Sequence, residues 1–372
     1  MVRLVLATAC SSHMQASVAI VAMLIGWPAK HRELFAQDAA QESSKSETRV
    51  LYFPPADGPW EKIKPEEVGW DEAKLKSALD WAGDVGSSGV VILLNGRILA
   101  EQHWVQEASG LGLRPRPRSN RNGHAMEDVA SVQKSITSLL VGLALQKRLL
   151  KLDDPVSMHL GVGWSKASEI QEARIKIRHL LTMTSGLSDD LEFVAKPGTK
   201  WRYNTPAYAR VRDCVVAAAG QELNELTREW LTHPLGMRDS RWLPRPAGIQ
   251  ALNAFGFSST ARDLARIGLL MQADGRWEET RVFDDSHYLE EATTASQQQN
   301  LSYGYLWWLN QTERVASAPR DMYSANGAKT RRLYVIPSQG LVITRIGVSP
   351  KMNRPRNFDA EFLRRILAAK EQ

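Results

Sequence analysis

Strand-like apolar runs stand near both ends of this chain, and a long, mostly helical stretch separates them. Near the amino end, Gly89–Leu94 is a β-rich run, Asn95-Gly96 is a tight-turn dipeptide, and Arg97–Trp104 reads as a second strand. This pattern predicts a β-hairpin. Near the carboxyl end, Tyr303–Leu309, Leu333–Ile336 and Leu341–Ile346 are short apolar runs bounded by turn residues such as Pro337-Ser338-Gln339-Gly340. From Ser131 to about Thr293 the pattern is helical, cut by loops at Leu152-Asp153-Asp154-Pro155, Thr184-Ser185-Gly186 and Lys196-Pro197-Gly198. Asp71–Trp81, Ala261–Met271 and Phe358–Ala369 read as further amphipathic helices. Strands contributed by both ends imply an α+β chain: a sheet domain from residues 49–130 and 294–372, a helical domain from 131–293, and a cleft where they meet.

The first 48 residues differ from the rest. Arg3 precedes apolar residues, and Ala16–Trp27 is an uncharged run of twelve, too short to span a bilayer comfortably but suited to the core of a signal peptide. Cleavage near residues 36–40 would leave a periplasmic or secreted chain with no stable membrane span, preceded by a Ser- and Glu-rich spacer, Gln41–Thr48. Cys10 follows Ala7-Thr8-Ala9, but too few apolar residues precede it for a lipoprotein acceptor. Cys214 would then be the only cysteine, which excludes an internal disulfide, and its apolar neighbours suit a buried, inert thiol. The net charge of +6 and pI of about 9.3 are mildly basic, and no nucleic-acid-binding motif accompanies them. Ser109–Asn122, with Arg114, Arg116, Arg118 and Arg121, reads as a solvated basic loop. No cofactor is called for, and isolated histidines such as His179 and His233 read as structural, leaving no metal site.

Chemistry enters at Ala130-Ser131-Val132-Gln133-Lys134-Ser135-Ile136. Ile136, Leu139, Leu140 and Leu143 follow at helical steps, so Ser131 and Lys134 lie three apart where a helix begins, within reach of one another. The free N–H groups and positive dipole end of the helix sit at Ser131. A serine hydroxyl becomes a nucleophile when a base takes its proton, and a lysine stripped of water can be that base. On its own, Ser-x-x-Lys is also consistent with a serine N-cap followed by a surface lysine.

Further segments give the motif its context. Lys151–Val156, His179–Leu187, Pro197–Tyr203, Pro234–Met237, Thr260–Arg266 and Tyr303–Trp308 follow in order. Together they resemble the serine β-lactamase, penicillin-binding protein and related esterase superfamily, in its esterase and nylon-oligomer-hydrolase-like branch, across residues 60–370. The resemblance implies a β-lactamase/transpeptidase-like fold, with an antiparallel sheet flanked by helices. It implies Ser131 as the acylated nucleophile, Lys134 as its partner, and Tyr203 as a phenol whose pKa, lowered beside Lys134, lets it shuttle the proton. The N–H groups of Ser131 and Ala328 would form the oxyanion hole.

Two departures bear on the substrate. The family's Tyr-x-Asn becomes Tyr203-Asn204-Thr205, so Thr205 stands where the asparagine is usual and Asn204 one residue early. The family's Lys-Thr-Gly or His-x-Gly strand aligns with Ala325-Asn326-Gly327, because Lys329-Thr330-Arg331 falls out of register with Pro337. Asn204, Thr205, Ala325, Asn326 and Gly327 are thus the expected substrate-binding positions, with Gly327 admitting the substrate close to backbone. Ala325 removes the cation that would hold a substrate carboxylate, and Lys329, Arg331 or Arg332 can replace it only by facing the cleft. The expected activity is therefore a serine hydrolase cleaving an ester or small amide through an acyl-enzyme. The alternatives are a β-lactamase or D-alanyl-D-alanine carboxypeptidase, and a catalytically silent binding or sensor domain. The expected partner is a small-molecule ester or amide.

Overall fold

Asp71 starts the first long helix, α1 (Glu72–Asp84), by accepting the Lys74 N–H at 2.9 Å. That bond satisfies one of the donors a first turn leaves free. Leu75, Ala78, Leu79 and Ala82 form its buried stripe. The chain then makes β1 (Ser87–Leu94) and β2 (Arg97–His103), joined by Asn95 and Gly96 at φ 49° and 88°. This is the predicted hairpin. The structure is a computed structural model, and it describes residues 50–105, 118–246, 253–348 and 357–371. The expected leader, Cys10, the spacer and the loop arginines Arg114 and Arg116 lie outside the described residues.

The main sheet runs in the order β2, β1, β12 (Leu341–Gly347), β11 (Arg331–Ile336), β10 (Tyr323–Gly327) and β9 (Trp308–Leu309), with every neighbouring pair antiparallel. Segments from both ends of the chain do share one sheet, as the apolar runs predicted. Tyr303–Leu309 contributes only its last two residues. Gly304 donates its N–H to the Trp307 carbonyl, and Leu306 sits at φ 62°, so the start of that run folds into a turn.

Successive side chains of a strand point to opposite faces, and here both faces are covered. Val90 and Ile92 pack with Tyr334 and Ile343 against α1 and the terminal helix, residues Phe358–Leu367. Val91 and Leu93 join Leu333, Val335 and Val342 on the other face, in a core continuous with three more long helices. These are α2 (Gln133–Gln146), α3 (Thr205–Ala219) and α4 (Ala261–Gln272), so the terminal helix is α5. Nearly every residue of α2 is buried, and Ser131 lies just before its first turn.

Helix α4, placed by its sequence position in the helical domain, packs directly on the sheet. A Cβ added at Gly268 would lie 2.4 Å from Val342 Cγ1 and 2.8 Å from Leu333 Cδ1. The same stretch also supplies strands, β5 (Arg241–Pro244) and β6 (Phe255–Ser259), which line up with β3 (Arg118–Ser119) and β4 (Ala125–Asp128) in the order β3, β4, β6, β5. A small hairpin, β7 (Arg276–Trp277) and β8 (Thr280–Arg281), follows α4. Residues Leu51–Gln372 form one compact unit around these contacts.

Because α4 sits this close to the sheet, Gly268→Ala should overpack the interface and destabilise the fold by about 1–3 kcal/mol. Thermal unfolding checks it: a lowered Tm is expected, and a Tm equal to the parent's contradicts the packing described.

Candidate active site

Strand β4 carries the chain into the site. The Asp128 carboxylate accepts the Ala130 N–H at 2.8 Å, and Ala130 is held at φ 53°, a left-handed conformation uncommon for a residue with a Cβ. Ala130–Val132 forms a single 3-10 turn that runs into α2 at Gln133. The helix therefore starts two residues later than its apolar pattern suggested, but Ser131 and Lys134 still meet. Lys134 Nζ lies 3.1 Å from Ser131 Oγ and 3.2 Å from Thr205 Oγ1. Ser131 is half-buried, whereas Lys134 is 2% exposed.

The amine sits among rings rather than carboxylates. Its Nζ is 4.8 Å from the centre of the Tyr203 ring and 4.3 Å from that of Tyr208. Burial, reinforced by the positive charge of Arg245, pulls Lys134 down to about 7. A lysine at that value is substantially neutral near pH 7 and can accept a proton. Tyr203 moves the opposite way from expectation. Burial pushes its phenol up to about 12, against a smaller downward pull from its hydrogen bond with Ser131. The phenol therefore stays protonated, because burial disfavours its anion more than the Ser131 hydrogen bond favours it. Tyr208 was missed by sequence reasoning, although it follows Thr205 by three positions and so shares a helix face with it.

Of the two residues after Tyr203, only Thr205 reaches the amine. Asn204, expected to contact substrate, is 1% exposed and is committed elsewhere. Its Oδ1 accepts the Ala207 N–H at 2.8 Å, capping α3, and its Nδ2 donates to the Leu187 and Ser188 carbonyls at 2.9 and 2.8 Å. An asparagine directly before a helix is an N-cap by the same chemistry that makes it a good ligand. It holds the Tyr203 loop in place.

Strand β10 forms the other wall. A Cβ at Gly327 would fall 2.4 Å from the Val129 carbonyl oxygen, so this glycine makes room for the protein's own backbone beside the nucleophile, not for substrate. Ala325 is fully buried in the core, so its side chain is not a substrate contact. Asn326 is half-buried, with a buried Oδ1 that has no hydrogen-bond partner among the described residues. Ala328 opens a 3-10 turn that includes Lys329 at φ 59°, so the strand breaks there and resumes only at Arg331. Arg331 pairs with Glu127 at 2.8 Å, and Arg332 pairs with Asp359 at 2.6 Å while donating to the Gly327 carbonyl at 2.7 Å. Both replacement cations are thus tied into the frame, and Lys329, half-buried, has no ion pair among the described residues. Beside Tyr203 the wall is aromatic: the Trp308 ring stacks on it at 5.9 Å, and Tyr303 and Trp201 meet both rings edge-on or tilted.

The isolated histidines behave unequally. His179 Nδ1 accepts the Lys176 N–H at 3.0 Å, and burial holds the ring down at about 4. His103 and His124, distant in sequence, come together with Glu101, their ligand-type atoms within 4.8 Å of one another. The two rings lie face to face at 3.7 Å and 5°, so their in-plane lone pairs do not converge on a common point. Burial favours the acid, yet the forked contact from Arg262, at 2.6 Å to each oxygen, and the His103 ring hold Glu101 down at about 2. The cluster is a half-buried ion pair capped by stacked imidazoles, a geometry unsuited to a metal ion. Cys214 is buried, with its thiol pushed well up by burial, as its apolar neighbours implied.

Comparison with known proteins extends this geometry to a lineage. The sequence model of the Beta-lactamase family matches residues 74–368. The D-alanyl-D-alanine-carboxypeptidase/endopeptidase AmpH of Escherichia coli is 25% identical over 214 residues, covering 50% of this chain and 53% of that protein. An uncharacterized protein of Alkalihalophilus pseudofirmus is 27% identical over 166 residues, 43% of this chain and 45% of that one. The chain therefore spans about half the length of the curated relatives it matches. Among solved structures, a provisionally assigned 6-aminohexanoate-dimer hydrolase from Bacillus anthracis aligns with TM-score 0.64 at 15% identity, covering 86% of this chain and 89% of that one. A Yersinia pestis β-lactamase/D-alanine carboxypeptidase aligns at TM-score 0.59 and 18% identity, covering 80% and 99%. EstCE1, a hydrolase with promiscuous acyltransferase activity, aligns at 0.58 and 17%, covering 81% and 97%. At these identities the structural likenesses establish the fold alone. The family match over most of the sequence, joined to the antiparallel sheet and its flanking helices, makes this chain a member of the Beta-lactamase family.

Proposed function

We propose that this protein is an exported serine hydrolase that cleaves an ester or small amide through an acyl-enzyme on Ser131. The observation that carries the reading is the buried Lys134 amine, 3.1 Å from the Ser131 hydroxyl, with no carboxylate partner among the described residues. Neutral Lys134 takes the Ser131 proton as Oγ attacks the substrate carbonyl carbon. The developing oxyanion is received by the N–H groups of Ser131 and Ala328. Tyr203, still protonated, donates its phenolic proton to the leaving oxygen or nitrogen and regains one from the Lys134 ammonium. Water then attacks the acyl-enzyme carbonyl with its proton passing to Lys134, and the Lys134 ammonium returns that proton to Ser131 Oγ as the acyl–Oγ bond breaks and the acid leaves. The family match, and a relative named as a D-alanyl-D-alanine-carboxypeptidase/endopeptidase, support the reaction class. With Arg331 and Arg332 held by carboxylates, the cleft favours substrates that need no carboxylate anchor at β10. The apolar run Ala16–Trp27 supports export.

Exposure to a fluorophosphonate, followed by intact mass and peptide mapping, should give a single adduct on Ser131 that Ser131→Ala lacks. The same substitution should lower p-nitrophenyl ester hydrolysis by about a thousandfold or more. A folded protein that takes no adduct overturns the reading in favour of a binding domain. Faster acylation by a chromogenic cephalosporin than by simple esters would favour a β-lactamase instead.

Acylation should rise with pH through about 7, because only the neutral Lys134 accepts the proton. The same group opposes folding. Its folded pKa lies below the unfolded value, so the unfolded chain binds the extra proton between about 7 and 10.5. The destabilisation is therefore complete below about 7 and fades as pH approaches 10.5. Lys134→Met should remove activity yet raise the Tm at pH 6, with a smaller gain at pH 10. A Tm lowered at both pH values would contradict a neutral, unpaired amine.

A further inference from the structure

The Ser131–Lys134 segment is gripped from outside by one guanidinium. Arg245, from just beyond β5, places Nε and Nη2 at 2.8 and 2.9 Å from the two oxygens of Asp128. Asp128 Oδ1 is also the acceptor that holds the Ala130 N–H and so fixes the left-handed residue before Ser131. The same Nη2 donates at 3.2 Å to Oε1 of Gln133, which lies between the nucleophile and its lysine. Gln133 in turn takes the Phe257 N–H at 3.0 Å and donates to the Tyr208 hydroxyl at 2.6 Å, and the Tyr208 ring lies against the Lys134 amine. One side chain therefore touches both ends of the catalytic turn. Space for it is provided at β6, where a Cβ on Gly256 would fall 2.2 Å from Asp128 Oδ2 and 2.9 Å from Arg245 Nε.

The geometry points to Arg245 and Asp128 as a positioning pair that sets both the conformation of the Ser131 turn and the protonation of Lys134, neither residue touching substrate. The inference rests on the serine-hydrolase reading and adds to it a control that no sequence motif marks. An arginine fork is suited to this because its planar array binds a carboxylate through two parallel bonds and keeps a third contact for Gln133. Its permanent charge disfavours a second cation nearby, and the carboxylate partly offsets that effect. Of the other groups around Lys134, Tyr203 and Tyr208 have raised pKa values and stay neutral, and Thr205 carries no charge. On the β10–β11 side, Arg331 and Arg332 are neutralised by Glu127 and Asp359. Arg245, held by Asp128, is the charged group whose field acts on Lys134.

The test is the pH dependence of Ser131 labelling by a fluorophosphonate, from pH 5 to 9, in the full chain. Removing the positive charge in Arg245→Gln should move the acidic limb up by about half to one pH unit, the scale expected of one nearby charge. Removing the negative charge in Asp128→Asn should move it down. Arg245→Lys, which keeps the charge but not the fork, should leave the limb in place while lowering the plateau rate several-fold. A merely structural role lowers rates without moving the limbs in opposite directions. Limbs that stay put, or shift the same way in both charge-removing variants, overturn the inference. Should either variant not fold, Gly256→Ala tests the geometric half, since it displaces the pair without altering charge, and an unchanged plateau rate overturns that half. A wild-type protein that is never labelled overturns the hydrolase reading itself, whereas a labelled wild type with unmoved limbs overturns only this proposal.

Discussion

The Lys134 ammonium is the group whose environment the rest of the site is built to control. A lysine buried without a carboxylate is unfavourable as a cation, and here the unfavourable form is avoided by lowering its proton affinity. That requires a dry, rigid surround. It is supplied by the aromatic faces of Tyr203 and Tyr208 and by a helix, α2, that is buried almost along its whole length. A surface helix with the same Ser-x-x-Lys spacing would carry an ordinary solvated ammonium and no base.

The fold positions that helix through packing on several sides. One face of the sheet is closed by α1 and α5, and the other presses on α4 and the core that contains α2. Strand β10 approaches the backbone before Ser131 so closely that only glycine fits at position 327. On the opposite side, β4 and β6 deliver Asp128 and leave room for Arg245. The nucleophile therefore sits where two sheets and a buried helix converge, and its left-handed neighbour Ala130 is held by the Asp128 carboxylate at its N–H and by the Gln133 N–H at its carbonyl.

Much of the fold was legible because its signals are local. The Asn95-Gly96 hairpin, the capped helix after Asp71 and the strands after Thr330 follow from turn chemistry and alternation within a few residues. The errors fall where local patterns meet long-range contacts. Tyr303–Leu309 has a strand's composition, but its backbone bonds with itself and with Leu181, leaving two residues for the sheet. Asn204 and Ala325 occupy positions adjacent to functional ones, yet a helix N-terminus and a core claimed their side chains. Glu101, His103 and His124 could not be associated by spacing, since two of them come from β2 and its end and one from the approach to β4.

What the sequence determined by itself is the chemistry available: a serine and a lysine one turn apart, a tyrosine in its family segment, and the absence of a cation at position 325. Residue type and spacing suffice for that, because helical geometry carries Lys134 to Ser131 whatever surrounds them. The protonation states were decided only in three dimensions. Whether a lysine is an acid or a base, and whether a tyrosine's proton is loosened or held, depends on water access and on charges brought from remote segments. Tyr203 resisted the expected lowering for that reason: its own burial disfavours the phenolate more than the hydrogen bond with Ser131 favours it. The guanidinium that reinforces the effect of burial on Lys134 comes from Arg245, more than a hundred positions away in the chain, where no spacing rule reaches.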